Sequence, residues 1–490
     1  MKTPIRFNYK YPVSAPRYRI ARIVLFMPCL LLFLNGCAVG PDYCPPKASV
    51  PESWSESQKN AMFNHADPIV QWWKTFNDPV LDSLITRAVE SNLDLLIAEA
   101  RIREARFQSG VVSSELWPSV ETSASYSRSR RSQGISVIPP KARLKRNLYE
   151  AGFDASWEID LFGGKRHAIE AARADIDAAV ENRRDVLVTL LAEVARNYIE
   201  VRGFQRRLAI VRSNVGVQQE TVEITRTRFK AGLSSELDAV QAEALLATTQ
   251  SQIPTLESSM KQAIHRIGIL LGQKPDALQA GLTKGSPIPS APAMVPVGLP
   301  SDLLRRRPDV RRAERELAAA TARIGVATAN FFPKFSLTGD FGFQTEDLNI
   351  FSLTRSRYWS FGPTIRWPIF QAGRIRANVK VQNARQEQVL VNYEKAVLTA
   401  LEDVENALVI FAGEQVRYKN LTDAVNASRH AVELANELFS KGLANFLSVL
   451  DAERSLYTSE DSLIQSERTV SLNLVTLYKA LGGGWEAEPS

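Results

Sequence analysis

Hydrophobic residues recur along this chain with two different periods. Val180, Leu187, Val194, Val201, Leu208, Val215, Val222 and Phe229 stand seven residues apart. Leu390, Val397, Val404, Phe411, Tyr418, Val425, Val432 and Phe439 do the same, each 210 positions after its counterpart. A sustained seven-residue repeat marks long helices packed as coiled coils. It predicts helices over 168–229 and 377–439, each roughly 90 Å long at about 1.5 Å per residue. Shorter helical stretches, 93–117 and 236–272, together nearly match one long helix, so two stacked end to end fit alongside it.

Between the helical segments the period changes to two. Tyr149, Ala151, Phe153, Ala155, Trp157, Ile159 and Leu161 alternate with polar residues, as do Phe335 to Phe343 and Trp359 to Ile369, with 118–126 a weaker fourth strand. Strands of about ten residues with one apolar face suit a membrane barrel with a wet interior, although a soluble β-sandwich produces the same alternation. Four strands cannot close a barrel, since the smallest membrane barrels have about eight. The predicted barrel is therefore shared among copies; three give twelve strands and two give eight, and strand number leaves both open.

The chain is also written twice. Arg228 to Leu233 recurs as Leu438 to Leu443, and Leu237, Ala242, Glu243 and Leu271-Gly272 find Leu447, Ala452, Glu453 and Leu481-Gly482 at the same spacing. The repeats span 93–272 and 300–482. In the first, two barrel strands over 118–161 precede the long helix and a helix over 236–272; in the second, strands over 335–369 precede the long helix and a helix over 446–481. Four prolines make 284–299 an extended linker, and 483–490 form a tail.

Composition changes this picture at the start of the chain. The 490 residues are 45% hydrophobic and 23% charged, which is globular rather than polytopic helical membrane composition. Six of the 60 basic residues lie in 1–36, which hold no acid, so the remainder balances 54 bases against 53 acids. A nucleic-acid reading thereby loses its support. The apolar run 23–34 makes a helix of roughly 18 Å, too short for a hydrocarbon core of about 30 Å, and fits a signal-peptide core. Cysteines occur only at Cys29, Cys37 and Cys44. Leu34-Asn35-Gly36-Cys37 resembles a bacterial lipobox. That resemblance implies removal of 1–36 as a lipoprotein signal peptide and an N-palmitoyl, S-diacylglyceryl Cys37 opening a lipidated segment, 37–92, that ends in the first helix. Ala38, where an inner-membrane retention signal would place aspartate, favours outer-membrane sorting.

Catalytic chemistry finds no foothold. His65, His167, His265 and His430 are scattered without metal-ligand spacing. Phe162-Gly163-Gly164-Lys165-Arg166 fails the phosphate-loop pattern, because Ile159 stands where a glycine is required. The expectation is no enzyme, no metal and no cofactor beyond covalent lipid. The stretch 127–148 holds seven basic residues and no acid; it reads as a solvated loop, with outer-leaflet phosphates as the alternative contact.

Three stretches carry a family resemblance. Cys37-Ala38-Val39-Gly40-Pro41-Asp42-Tyr43, Leu299-Pro300-Ser301-Asp302-Leu303-Leu304-Arg305-Arg306-Arg307-Pro308-Asp309-Val310, and the repeated Phe-x-x-Gly-Leu turn with Leu450-Asp451-Ala452 resemble the lipoprotein outer membrane factors of the TolC family. The resemblance covers essentially the whole mature chain. It implies an α+β membrane protein: a homotrimer whose twelve-stranded outer-membrane β-barrel, four strands per chain, continues into a coiled-coil α-helical tunnel in the periplasm. It further implies a passive exit duct for small solutes, working with a periplasmic adaptor and an inner-membrane, proton-driven transporter. Type I protein secretion and a non-conducting lipid-anchored coiled coil are the alternatives. On the same grounds Asp451, Ser448 and Asp238 would line the periplasmic aperture. Ser448 stands where a second acid is common, and the aromatic and basic partners expected for Asp238 are replaced by Phe439 and Ala444. The turns containing Phe229, Gly232, Leu233, Phe439, Gly442 and Leu443 would meet the adaptor.

Overall fold

The computed structural model describes residues 38–55, 63–64, 66, 69–132, 144–292 and 294–487. The signal segment, Cys37 and the middle of the basic stretch lie outside these residues. In chain order the elements are β1 (Phe63–Asn64), α1 (Pro79–Ser91), α2 (Leu93–Ser114), β2 (Ser119–Arg130), β3 (Lys145–Ile159), α3 (Gly164–Lys230), α4 (Glu236–Gln250), α5 (Gln252–Leu270) and α6 (Gln279–Leu282). There follow β4 (Val295–Pro296), α7 (Pro300–Arg306), α8 (Pro308–Ala329), β5 (Lys334–Thr345), β6 (Arg357–Arg366), α9 (Arg374–Ser440) and α10 (Phe446–Ala480). The described residues divide into two compact units, one drawn from 38–43, 109–132, 144–172 and 320–385, the other from the remainder.

The first unit is built on an antiparallel sheet in the order β2-β3-β5-β6. Its register adds the four alternating patterns together. Val120, Ala155, Gly339 and Phe361 stand in one cross-strand row, and Thr122, Phe153, Phe341 and Trp359 in the next row on that face. Directly paired residues share a face, so the apolar sets merge into one surface. The opposite face carries the row Glu121, Asp154, Asp340 and Ser360. Among the described residues β2 and β6 each pair on one side only, and Pro363, which has no N–H to give, sits in edge strand β6.

These strands start and stop at different places from the alternation. Ladder pairing continues outward through Arg128 with Asn147 and Arg130 with Lys145, where neither residue is apolar. At the other end β3 stops at Ile159 and β6 at Arg366, while the apolar alternation runs on to Leu161 and Ile369. Side-chain alternation reports a face; only backbone pairing defines the strand.

Helices make the second unit. α3 and α9 have 67 residues each, about 100 Å of helix, and both start a few residues before the heptad-predicted limits of 168 and 377. Of the heptad residues, Leu187, Val194, Val201, Leu208, Val397, Val404 and Phe411 are buried in a core shared with Trp72, Ile264 and Tyr478. The predicted helix over 236–272 is two helices, α4 and α5. Pro254 has no N–H to offer the carbonyl of Gln250, and the helix breaks one residue beyond it, at Ser251.

The proline-rich stretch 284–299 is extended but not loose. Val295 and Val297 are buried, β4 pairs in parallel with β1, and the Trp54 indole donates to the Gly298 carbonyl at 3.1 Å. Just after it, Arg307 joins three segments. Its guanidinium grips Asp309 (3.0 and 2.6 Å), donates to Asp403 at 2.9 Å, and reaches the Ala480 carbonyl at 3.2 Å. Burial opposes ionisation of Asp309, but the bidentate Arg307 contact outweighs it and holds the carboxyl below its ordinary range.

Candidate functional site

Each long helix ends in the same turn. Gly232 and Gly442 have φ of 73° and 72°, and a Cβ on either would meet open space, so conformation rather than crowding demands glycine there. The Leu233 amide donates back to the Arg228 carbonyl at 2.8 Å, and Leu443 to Leu438 at 2.9 Å; this pattern satisfies the last carbonyls of a helix. The next helices are capped differently. Ser235 and Asp238 form a reciprocal capping box on α4, whereas the Asn445 side chain accepts from the Ser448 amide at 3.1 Å on α10.

A small core of its own holds the two tips together. Val222, Ala242, Phe446, Val449 and Leu450 are buried there, with Phe439 packed against them. The Arg228 guanidinium lies 4.8 Å from the Phe439 ring centroid, a cation–π contact between the hairpins. Outside this core, Leu233 and Leu443 are 69% and 73% exposed and present an apolar surface at both turns.

The repeats diverge at one ion pair. Arg226 in α3 meets Glu243 in α4 at 2.7 Å. The counterpart of Arg226 is Asn436, which carries no charge, and Glu453 is left with a buried carboxyl oxygen that has no hydrogen-bond partner among the described residues. Desolvation raises its pKa.

The residues expected at the aperture separate into distinct environments. Asp451 is solvent-exposed on the first turns of α10, beside buried Leu450. Ser448 is tied to Asn445 by both its amide and its hydroxyl (3.1 and 2.8 Å). Asp238 serves its own helix cap. Of the expected adaptor-contact residues, Phe229, Gly232, Leu233, Gly442 and Leu443 face outward, while Phe439 turns partly into the tip core. Sequence reading used Arg228 and Glu453 as markers of the repeated tip and assigned neither a contact. Comparing the two copies position by position, Arg226 against Asn436, carries the signal for both halves of that asymmetry.

The chain just after Cys37 is seated in the first unit. The Val39 amide donates to the Phe162 carbonyl at 3.1 Å. A Cβ on Gly163 would fall 2.8 Å from that of Ala38, and one on Gly40 2.6 Å from the Gly325 Cα. Buried His167 closes this slot, its Nδ1 3.0 Å from Glu170.

A sheet with one apolar face and two unpaired edges, made by the same duplicated chain that makes two very long helical hairpins, defines the outer-membrane channel class. The family model described as outer membrane efflux protein matches residues 84–273 and 299–483. The chain belongs to the outer membrane efflux protein family, and it is an outer-membrane exit channel of an efflux system. It is 33% identical over 466 residues to nodulation protein T of Rhizobium leguminosarum bv. trifolii, covering 94% of this chain and 97% of that protein. It is 32% identical over 467 residues to the cation efflux system protein CusC of Escherichia coli O6:H1, covering 94% and 98%. The structure of the outer-membrane channel OprN matches with a TM-score of 0.86 at 36% identity, over 92% of this chain and all of that one.

Proposed function

We propose that three copies close a twelve-stranded barrel and a helical tunnel that is narrowest near Asp451, and that this conduit passively releases small toxic solutes. The cross-strand register carries the proposal: it gathers the apolar alternations of all four strands on one face while leaving β2 and β6 open at the edges among the described residues. Unpaired edges in a membrane are costly, and closure with neighbouring copies removes them. The exposed leucines of the two turns suit a periplasmic adaptor, and energy would come from a proton-driven inner-membrane transporter docked with it. An acyl and diacylglyceryl anchor on Cys37 fits the seated segment that follows, since two or more chains give stable anchoring.

Three exposed Asp451 carboxylates near a threefold axis would draw cations and repel anions. Planar-bilayer recordings of the purified mature protein beside Asp451→Ala test this. Small cation-selective currents that lose selectivity in the variant are expected. Inserted oligomers that conduct equally, with equal selectivity, in both forms would remove Asp451 from the constriction.

A further inference from the structure

The two sheet-to-helix junctions are related by the 210-residue repeat yet differ in what covers them. In the first, Trp157, Ile159 and Gly163 lead into α3; in the second, Trp367, Ile369 and Gly373 lead into α9. The first junction is covered. Phe162 stacks on Phe332 with centroids 4.6 Å apart, Ala38 and Val39 lie against Gly163 and Phe162, and Gly40 lies against Gly325. At the second junction Ile369 and Phe370 are 84% and 88% exposed in the single chain, the most exposed large apolar side chains among its described residues. The Trp367 indole is spoken for by the Phe331 carbonyl at 3.0 Å, so its ring is presented as apolar surface.

Charge separates the junctions in the same way. Residues 366–385 hold Arg366, Arg374, Arg376, Lys380 and Arg385 and no acid, whereas the matching 156–175 hold four acids. Arg166 of the first junction is neutralised by Asp160 at 3.4 Å. Its counterpart Arg376 is exposed and pairs with no described carboxylate, and the same holds for Lys380, which stands where the first repeat has Glu170. Among the described residues the Arg374 guanidinium donates only to the neutral Gln371 side chain, at 2.9 Å. An apolar wedge beside uncompensated cations, continuous with the apolar sheet face, has the character of a membrane-interface site for anionic headgroups.

We propose that this second junction docks an anionic phospholipid of the periplasmic leaflet. Ile369 and Phe370 contact its acyl chains, and Arg374, Arg376 and Lys380 its phosphate. The proposal rests on the barrel reading above, which sets the sheet in the membrane.

The test uses the full mature oligomer, reconstituted in phosphatidylglycerol or phosphatidylcholine vesicles, extracted with mild detergent and weighed by native mass spectrometry. The wild type is expected to retain phosphatidylglycerol in preference to phosphatidylcholine. Arg374→Gln with Arg376→Gln and Lys380→Gln should lower that retention by about fivefold per cation removed. The corresponding lysine and arginine exchanges, which keep the charge, should restore it. Ile369→Ser with Phe370→Ser should lower retention of both lipids. Equal retention in the glutamine variant and wild type overturns the proposal. So does a glutamine or serine variant that falls to single chains while its circular dichroism is unchanged, which would assign the face to a neighbouring copy. Bilayer conductance of the same wild-type preparation reports the barrel separately. A conducting wild type without lipid preference removes the lipid site alone, and a non-conducting one removes barrel and site together.

Discussion

Glu453 and Glu243 occupy the same place in the two repeats and meet opposite surroundings. Glu243 has Arg226; Glu453 has Asn436 at the matching position and a buried oxygen without a partner among the described residues. A carboxyl whose pKa is raised by burial is ionised at a cost in the folded chain, and that cost is felt above its ordinary pKa and vanishes below it. Glu453→Gln is therefore expected to stabilise the protein at neutral pH by roughly 0.5–1 kcal/mol, allowing for partial exposure. The gain should disappear as the pH falls below the ordinary glutamate range. Thermal melts of both forms across that interval check it, and a gain independent of pH would exclude ionisation as the cause. At this scale the sequence exposed the capped glycine turns, because Gly232 and Gly442 serve local geometry. It did not expose that Asp238 is committed to a capping box, or that Arg228 covers Phe439, because those depend on which neighbour each side chain meets.

The elements were largely legible, and the exceptions have physical reasons. Seven-residue spacing found both long helices because their buried stripe is long enough to dominate local noise. Val404 lies in that stripe, fully buried among the core of the second unit. Val404→Asp places an unpaired charge there and should cost roughly 4 kcal/mol or more, read as a lower thermal midpoint and loss of the assembled oligomer in size-exclusion chromatography. An unaffected oligomer would show that the stripe does not carry the packing. The helix break before Pro254 was written in the sequence but hidden by the continuing apolar pattern around it. The strand limits were blurred for the opposite reason, since pairing continues through polar residues that show no alternation. The motif ending in Pro308-Asp309-Val310 was conspicuous as a string, yet its physical work lies in Arg307, which bonds α8, α9 and α10 at once. No spacing rule reveals contacts that bring position 307 to 403 and 480.

Across the whole molecule, duplication sets the plan and the departures from it mark particular tasks. The first sheet-to-helix junction receives the segment that follows Cys37, and the second is uncovered in the single chain and basic. Cys37→Ser is expected to abolish fatty-acid labelling of the mature chain and to release a large share of it from membranes on fractionation; persistent labelling would place the lipid elsewhere. The chain by itself determined the repeat, the helical and strand periods, the four strands per copy and the family, because these are periodic or local properties that survive without knowledge of contacts. Tertiary structure alone decided that the four alternations fall in one register, that the proline-rich stretch is pinned down by buried Val295 and Val297, that Phe439 turns partly inward and that one Glu453 oxygen is buried without a partner among the described residues. Each of those outcomes depends on residues far apart in the chain arriving at the same place, and a linear pattern records spacing along the chain but not proximity across it.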